Sequence, residues 1–215
     1  MKKITATKQS NFWMGEFGDS YSDRSSQDIE GMELTYRQAY GATRLSMNKA
    51  FVDKLPRSIS ILEVGANVGQ QLEMLRLMGF TNLVGVEIND HAILQSHALF
   101  PHINIIKASA FDLPFRDRYF DMVFTSGVLI HIAPKDVKKA MDEIYRTSRS
   151  LIWGFEYYDT KHTMIPYRDR RNVMWKSDFA GMYLERFKDL KLVQQKMFPY
   201  VDDLTKKDAM FLLKK

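Results

Sequence analysis

The spacing of apolar positions changes at Pro56. Before it, residues 31–54 carry Met32, Tyr36, Ala39, Tyr40, Leu45, Met47 and Phe51 at mixed helical intervals, which predicts one or two helices stopped by the proline. After it, short apolar runs alternate with amphipathic ones. Residues 58–64 read as a buried strand ending at Gly65, and residues 68–78 as a helix closed by Gly79. Residues 82–87 predict a second strand. Asp90 is expected to cap a helix running to about Leu99, ahead of Pro101. Residues 102–107 and 119–126 predict a third and a fourth strand. Pro134 suits the first position of a helix reaching about Arg146, and residues 150–156 follow as a fifth strand. Residues 175–187 predict one more helix. Residues 190–198 and 208–213 are strand-like, with only a polar link between them.

Strands alternating with helices argue for parallel βαβ units. The last two runs cannot cross over, so they predict an antiparallel finish. The expected fold is α/β, a doubly wound, mostly parallel seven-stranded sheet with an antiparallel last strand. Residues 8–30 are polar, aromatic and punctuated by glycine, and are hard to place in a core element. We divide the chain into an N-terminal lid with packed helices, residues 1–55, and a core, residues 56–215. At 215 residues these form one structural domain.

Composition narrows the chemistry. With no cysteine, a disulfide scaffold, a thiolate metal site and a cysteine nucleophile are excluded. The five histidines show no helical pair with a following acid of the zinc-enzyme type, and no metal is expected. The net charge of +5 suits anionic partners, although 31 basic and 26 acidic residues are mixed along the chain, as on a solvated basic surface. The basic start, Met1 to Lys8, has no apolar stretch behind it, and no run approaches ~18 apolar residues. A cytoplasmic protein without a membrane segment is expected.

Ligands of such sheets bind beyond the carboxyl ends of the strands. After the first strand stands Glu63-Val64-Gly65-Ala66-Asn67-Val68-Gly69, where glycines permit a tight turn and close backbone approach. Asn67 tolerates left-handed backbone where a glycine is otherwise expected. Glu87 ends the second strand 22 residues beyond Gly65, the position of a carboxylate that accepts both hydroxyls of a ribose. The turn is neither the dinucleotide glycine pattern nor a P-loop. Glu63 would repel a pyrophosphate and suits a ligand with an ammonium or sulfonium group.

These residues, with Ala108 to Phe115 and Tyr119 to Val123, resemble the successive motifs of the class I S-adenosylmethionine-dependent methyltransferases over residues 58–156. The flanks, Phe12 to Arg24, Gly127 to Ile132, Glu156-Tyr157-Tyr158, Ile165 to Arg168 and Trp175 to Gly181, resemble a narrower group, the methylases associated with pseudaminic acid biosynthesis. The resemblance implies a Rossmann-like methyltransferase core and S-adenosyl-L-methionine as cofactor. It implies that Gly65, Ala66, Asn67 and Gly69 pass under the methionine part, with Glu63 near its amino group. Glu87 would hold the ribose and Ile88 would lie beside the adenine. Ser109, where many relatives have an aspartate, would complete the adenine pocket with Ala110 and Phe111. Ser126 and Gly127 would face the reacting methyl.

Methyl transfer is an in-line displacement that needs alignment and, for a hydroxyl or ammonium acceptor, removal of a proton. His131, five residues past Ser126, is the first candidate base; the alternative is a packing histidine. Glu156 ends the fifth strand and could orient an acceptor or act as base, or could pair with an arginine. Tyr157 and Tyr158 could line an acceptor pocket. Arg168, with Arg170 and Arg171, could grip a carboxylate or phosphate, or form a solvated loop. Trp13, Tyr21 and Arg24 suggest that the N-terminal segment folds over the site as a lid, against the alternative of packing outside the sheet. The expected function is methyl transfer to an oxygen or nitrogen of a small polar acceptor, a sugar or sugar nucleotide of nonulosonic acid metabolism. The rivals are an RNA methyltransferase, with neither a separate RNA module nor a base-methylating motif after the fourth strand to support it, and a non-catalytic cofactor-binding scaffold.

Overall fold

A computed structural model describes residues 7–215; the basic start read above lies, for Met1 to Ala6, outside the described residues. Two short helices open the chain, α1 (Lys8–Met14) and α2 (Glu16–Ser25), followed by α3 (Ile29–Tyr40) and α4 (Arg44–Val52). Then come β1 (Ser60–Val64), α5 (Gln70–Leu77), β2 (Asn82–Glu87), α6 (Asp90–Leu99), β3 (Asn104–Lys107), β4 (Phe120–Ser126), α7 (Pro134–Thr147) and β5 (Ser148–Tyr157). A two-residue hairpin pair, β6 (Thr163–Met164) and β7 (Trp175–Lys176), precedes α8 (Phe179–Arg186), β8 (Lys191–Pro199) and β9 (Lys207–Lys214).

The main sheet has seven strands in the order β3-β2-β1-β4-β5-β9-β8. The first five are parallel, and β9 runs antiparallel between β5 and β8. Strand order reverses between β1 and β4, which opens a crevice at their carboxyl ends. Helices cover both faces, so central strands are buried on both sides and read as continuous apolar runs. In β1, Ile61 packs with Phe51, Met122 and Trp153 on one face, and Leu62 with Val123, Val137 and Ile144 on the other. Each such side chain, fully buried, contributes roughly 1.5–3 kcal/mol. Met47, Phe51 and Val52 of α4 share the first of these cores, so the helices before Pro56 pack directly on the sheet.

Residues 8–25 form α1 and α2: Thr7 caps α1 by accepting from the Ser10 N–H, and the aromatic residues pack on one another and on the site rather than in the sheet core, in keeping with a segment that is hard to place in a core element. Two sequence readings are corrected. The helix expected over 175–187 begins only at Phe179, because Trp175 and Lys176 pair with Met164 and Thr163, and Asp178 caps α8 through the Gly181 N–H at 3.0 Å. The cap of α6 is Asn89 rather than Asp90; its Oδ1 accepts from the Ala92 N–H at 2.8 Å. Among the described residues no helix is long and apolar enough to cross a membrane.

Candidate active site

The crevice at the strand reversal is a cavity. Its walls come from the turns after β1, β2, β3 and β4 and, on the open side, from α1 and α2. After β1 the chain turns sharply because the N–H groups of Gly65 and Ala66 both donate to the Val86 carbonyl, at 2.8 and 3.0 Å. Gly65 has φ +74°, and a Cβ there would lie 2.6 Å from a Val128 methyl, so only glycine fits between this turn and the one after β4. Asn67 does adopt left-handed backbone, φ +48°.

Glu87 stands at the centre. It is buried, and its carboxylate accepts three backbone N–H groups: Ile88 and Asn89 on Oε1 at 2.7 and 2.9 Å, Asn67 on Oε2 at 2.8 Å. Burial pushes the carboxyl up and these three donors pull it down. A carboxylate offers about four acceptor positions. One therefore remains, on Oε2, where the sequence reading allotted two ribose hydroxyls. Ile88, Ser109, Ala110 and Phe111 continue the wall beside it, and Ser126 and Gly127 form its far end. The Ser109 hydroxyl already accepts the Phe111 N–H at 3.2 Å.

Helices α1 and α2 are held by polar contacts to the same turns. The Asn89 amide donates to the Trp13 carbonyl at 2.9 Å and to Asp19 at 2.8 Å; Ser22 donates to Asn67 at 2.8 Å. Asp23 meets Gln95 and His91 on α6 at 2.5 and 2.6 Å. Trp13 and Tyr21 line the cavity, and the buried Trp13 indole N–H has no partner among the described residues. Helices α1 and α2 touch closely at Gly18, where a Cβ would lie 1.9 Å from the Trp13 carbonyl oxygen. Gly18→Ala is expected to push α1 off α2 and to raise the dissociation rate of S-adenosylhomocysteine about tenfold by stopped-flow tryptophan fluorescence. An unchanged rate would mean that these helices do not close the site.

His131 sits where α1 meets the turn after β4. The Trp13 ring centroid is 4.4 Å from the imidazole. Nδ1 lies 3.1 Å from the Val173 carbonyl, which can only accept, so the proton is on Nδ1 and Nε2 keeps its lone pair. Burial pulls the imidazole down to about 4, so it is neutral at ordinary pH.

Several sequence-assigned residues lie elsewhere. Glu156 does not reach the cavity. Its buried carboxylate accepts the N–H groups of Val128, Leu129 and Ile130 at 3.2, 3.3 and 3.4 Å, and so anchors the turn after β4 from beneath. Burial pushes its carboxyl up to about 7. Neither the catalytic nor the arginine-pairing reading fits a group used in this way. Glu63 is also buried below the cavity wall, with Oε2 unpartnered among the described residues; burial holds it well above the carboxylate range, against the pull of Arg44. Ala66 packs in the core and Gly69 caps α5, so both shape the turn without lining the cavity. Arg24 and Arg168 share an exposed cleft on the outer side of α1 and α2, with Arg170. Tyr157 and Tyr158 lie beyond the cavity at the end of β5. Sequence reasoning missed Ser10, Gly18, Ser22, Asn89, Val128 and Ile132 as wall residues. Only Asn89, a polar group two residues past Glu87 that opens a helix, carried a readable signal.

Residues 62–150 match the family model described as a methyltransferase domain. The chain is 28% identical over 92 residues to an uncharacterised protein of Haemophilus influenzae, covering 40% of this chain and 37% of that one. It is 27% identical over 99 residues to the O-methyltransferase rstn1 of Aspergillus nomiae, covering 43% of each. The match thus spans less than half the length of either relative. Among solved structures, the 1,6-didemethyltoxoflavin-N1-methyltransferase of Burkholderia thailandensis, which holds S-adenosylhomocysteine, shares the fold with a TM-score of 0.65 at 13% identity, over 100% of this chain and 93% of that one. The seven-stranded sheet with its antiparallel last strand is the fold that this structure shares, and residues 62–150 are similar to a methyltransferase domain.

Proposed function

We propose that the whole protein is an S-adenosylmethionine-dependent methyltransferase that methylates an oxygen or nitrogen of a small polar acceptor, with a sugar or sugar nucleotide of nonulosonic (pseudaminic) acid metabolism as the preferred substrate. The observation that carries the cofactor reading is Glu87: a buried carboxylate at the end of β2 with one acceptor position left, in the same cavity as an unpartnered indole N–H. Both are groups that a nucleoside would satisfy. Gly65 and Asn67 would pass beneath its amino-acid end, Glu87 would take a ribose hydroxyl, and Ile88, Ser109, Ala110 and Phe111 would enclose the adenine. When bound, the cofactor supplies an electrophilic methyl group.

The chain's own task is then alignment and proton removal. His131 presents an unprotonated Nε2, fixed by the Val173 carbonyl on its other nitrogen and by the Trp13 ring. Its low basicity fits acceptance of a proton that is already being lost as the acceptor bonds to carbon. His131→Asn is expected to lower kcat about a hundredfold with little change in S-adenosylhomocysteine affinity, which separates a base from a wall residue. The flanking motifs are the support for the nonulosonic acid assignment.

The deciding experiment is release of S-adenosylhomocysteine, followed by mass spectrometry, with labelled cofactor and a bacterial small-molecule extract; total RNA is run separately. Label on an acidic sugar or sugar nucleotide is the expected result. Label on RNA would overturn the acceptor. Cofactor binding without turnover on either pool would favour a scaffold.

A further inference from the structure

On the far side of α1 and α2 from the cavity lies a second, exposed cleft. Two segments distant in sequence form it. Helices α1 and α2 supply Phe12, Glu16, Phe17 and Arg24, and the loop between β6 and β7 supplies Arg168 and Arg170. Three guanidinium groups thus share the cleft with one carboxylate, Glu16. Among the described residues none of the three forms an ion pair, whereas Arg57, Arg76, Arg146, Arg149 and Arg186 each meet a carboxylate at 2.5–2.9 Å. Neither the cofactor reading nor the transfer step uses this cleft.

The loop fixes its arginines in place. Tyr167 and Arg170 exchange backbone hydrogen bonds at 2.9 and 3.0 Å, which makes a two-residue hairpin turn. Its central residues, Arg168 and Asp169, both have left-handed backbone, φ +47° and +60°. Such turns favour Asn-Gly, so Arg168 stands there against backbone preference. Arg170 lies over the rings of Phe12 and Phe17, 5.4 and 5.7 Å from their centroids. A guanidinium stacked face-on keeps its N–H groups, which lie in its plane, for an oxyanion. The Gln9 amide on α1 also donates to the Asn172 carbonyl of the loop at 3.3 Å.

The cleft and the cavity are two sides of one aromatic cluster. Phe12 and Phe17 stack with centroids 4.1 Å apart, and both meet Trp13 edge to face, at 5.7 and 5.5 Å. Trp13 lines the cavity and lies 4.4 Å from the His131 ring. The loop reaches the same histidine from its own side. The Tyr167 ring is 5.8 Å from the imidazole, and the Val173 carbonyl accepts its Nδ1 proton. Helix α1 and the loop therefore cover His131 together, while on the outside three like charges oppose their approach.

We infer that the outer cleft binds a phosphoryl group carrying two or more negative charges, and that its occupancy clasps the β6–β7 loop to α1 and α2 and slows release of the cofactor from the cavity beneath; the second half rests on the cofactor reading above. Three guanidiniums offer more paired N–H donors than one carboxylate can use, and they match the oxygens of a phosphate monoester or a diphosphate. This ligand is separate from the acceptor, since the cleft lies outside the cavity. An anion among the arginines removes the repulsion that opposes the closed arrangement. It binds that arrangement better than an open one, and by reciprocity the occupied cleft holds the cofactor longer.

The test is titration calorimetry of the full chain with inorganic pyrophosphate, against sodium chloride at matched ionic strength. Stopped-flow release of S-adenosylhomocysteine is measured with and without pyrophosphate. Wild type is compared with Arg24→Gln and Arg168→Asn; asparagine suits the left-handed turn, and both positions are exposed, so the variants should melt within about 2 °C of wild type. One pyrophosphate per chain is expected, with Kd weakened about tenfold or more in each variant. Pyrophosphate should slow release about fivefold in wild type and leave it unchanged in the variants. No binding to wild type, or equal binding by the folded variants, would overturn the site. Competition between pyrophosphate and S-adenosylhomocysteine would place the anion in the cavity and overturn it as well. Binding at the cleft with an unchanged release rate would overturn the clasp. Wild type that fails to bind S-adenosylhomocysteine would instead bring down the cofactor reading, and the pyrophosphate titration would still decide the cleft by itself.

Discussion

Glu156→Ala is expected to cost about 3–5 kcal/mol of stability, the largest effect of any single substitution considered. The carboxylate is the acceptor of three backbone N–H groups, those of the half-buried Val128 and of the buried Leu129 and Ile130. Each loses its partner in a place where water has little access, at about 1–3 kcal/mol each for a buried unsatisfied group, reduced by local relaxation. For a domain of this size 1 kcal/mol shifts the melting point by roughly 2–4 °C, so a fall of about 10 °C is expected by calorimetry. Because this turn packs Val128 onto Gly65, S-adenosylhomocysteine binding should weaken as well. A melting point within 2 °C of wild type would show that the turn does not depend on the carboxylate.

The same group sets a pH signature. Burial raises the Glu156 carboxyl to about 7, above its unfolded value. Between about pH 4.5 and 7 the folded state therefore holds a proton that the unfolded chain has lost, and this contribution to stability declines as pH rises through the window. His131 acts in the opposite sense. Its folded value of about 4 lies below the unfolded 6.5, so the unfolded chain takes up the extra proton, and this contribution is lost as pH falls from 6.5 to 4. Glu156→Gln should steepen the rise of stability with pH between 4.5 and 7 by removing the opposing slope, as read from urea midpoints at successive pH values.

Glu87→Ala should be the most damaging change for the cofactor. It removes the acceptor from Asn67, Ile88 and Asn89 together with the oxygen available to a ribose hydroxyl. A loss of about 3–4 kcal/mol in S-adenosylhomocysteine binding, several hundredfold in Kd, is expected by titration calorimetry. Glu87→Gln keeps one carbonyl oxygen but turns an amide N–H₂ towards donors, and should lie between. Unchanged affinity in Glu87→Ala would remove the ribose assignment. The two carboxylates are thus separable: Glu156→Ala moves the melting point of the free protein first, and Glu87→Ala moves the affinity.

The strands and helices of residues 58–156 were legible because each buries a continuous apolar run or a regular stripe, a pattern local sequence must carry for the sheet to exclude water. The turn after β1 was legible for the same kind of reason. Gly65 and Asn67 report a backbone conformation, and conformation is a local property. Glu87 could be found because its distance from Gly65 along the chain is dictated by one βαβ unit.

What each polar side chain touches was not legible. Glu156 and Glu87 look alike in the sequence, each a glutamate at or beside the end of a buried strand. One faces the cavity and the other props the neighbouring turn, and the difference arises only where β5 sits beside β4. Trp13 and His131 are 118 residues apart yet in ring contact, and Asp208 gathers Tyr40 and Tyr200 from 168 and 8 residues away. The sequence by itself determined the order of elements, the buried faces and the cofactor turn, because these follow from the period of apolar residues and from backbone preference. The tertiary structure alone decided which carboxylates are spent on backbone amides and which hydroxyls meet a buried aspartate, because those hydrogen bonds exist only once distant segments are brought within about 3 Å of each other.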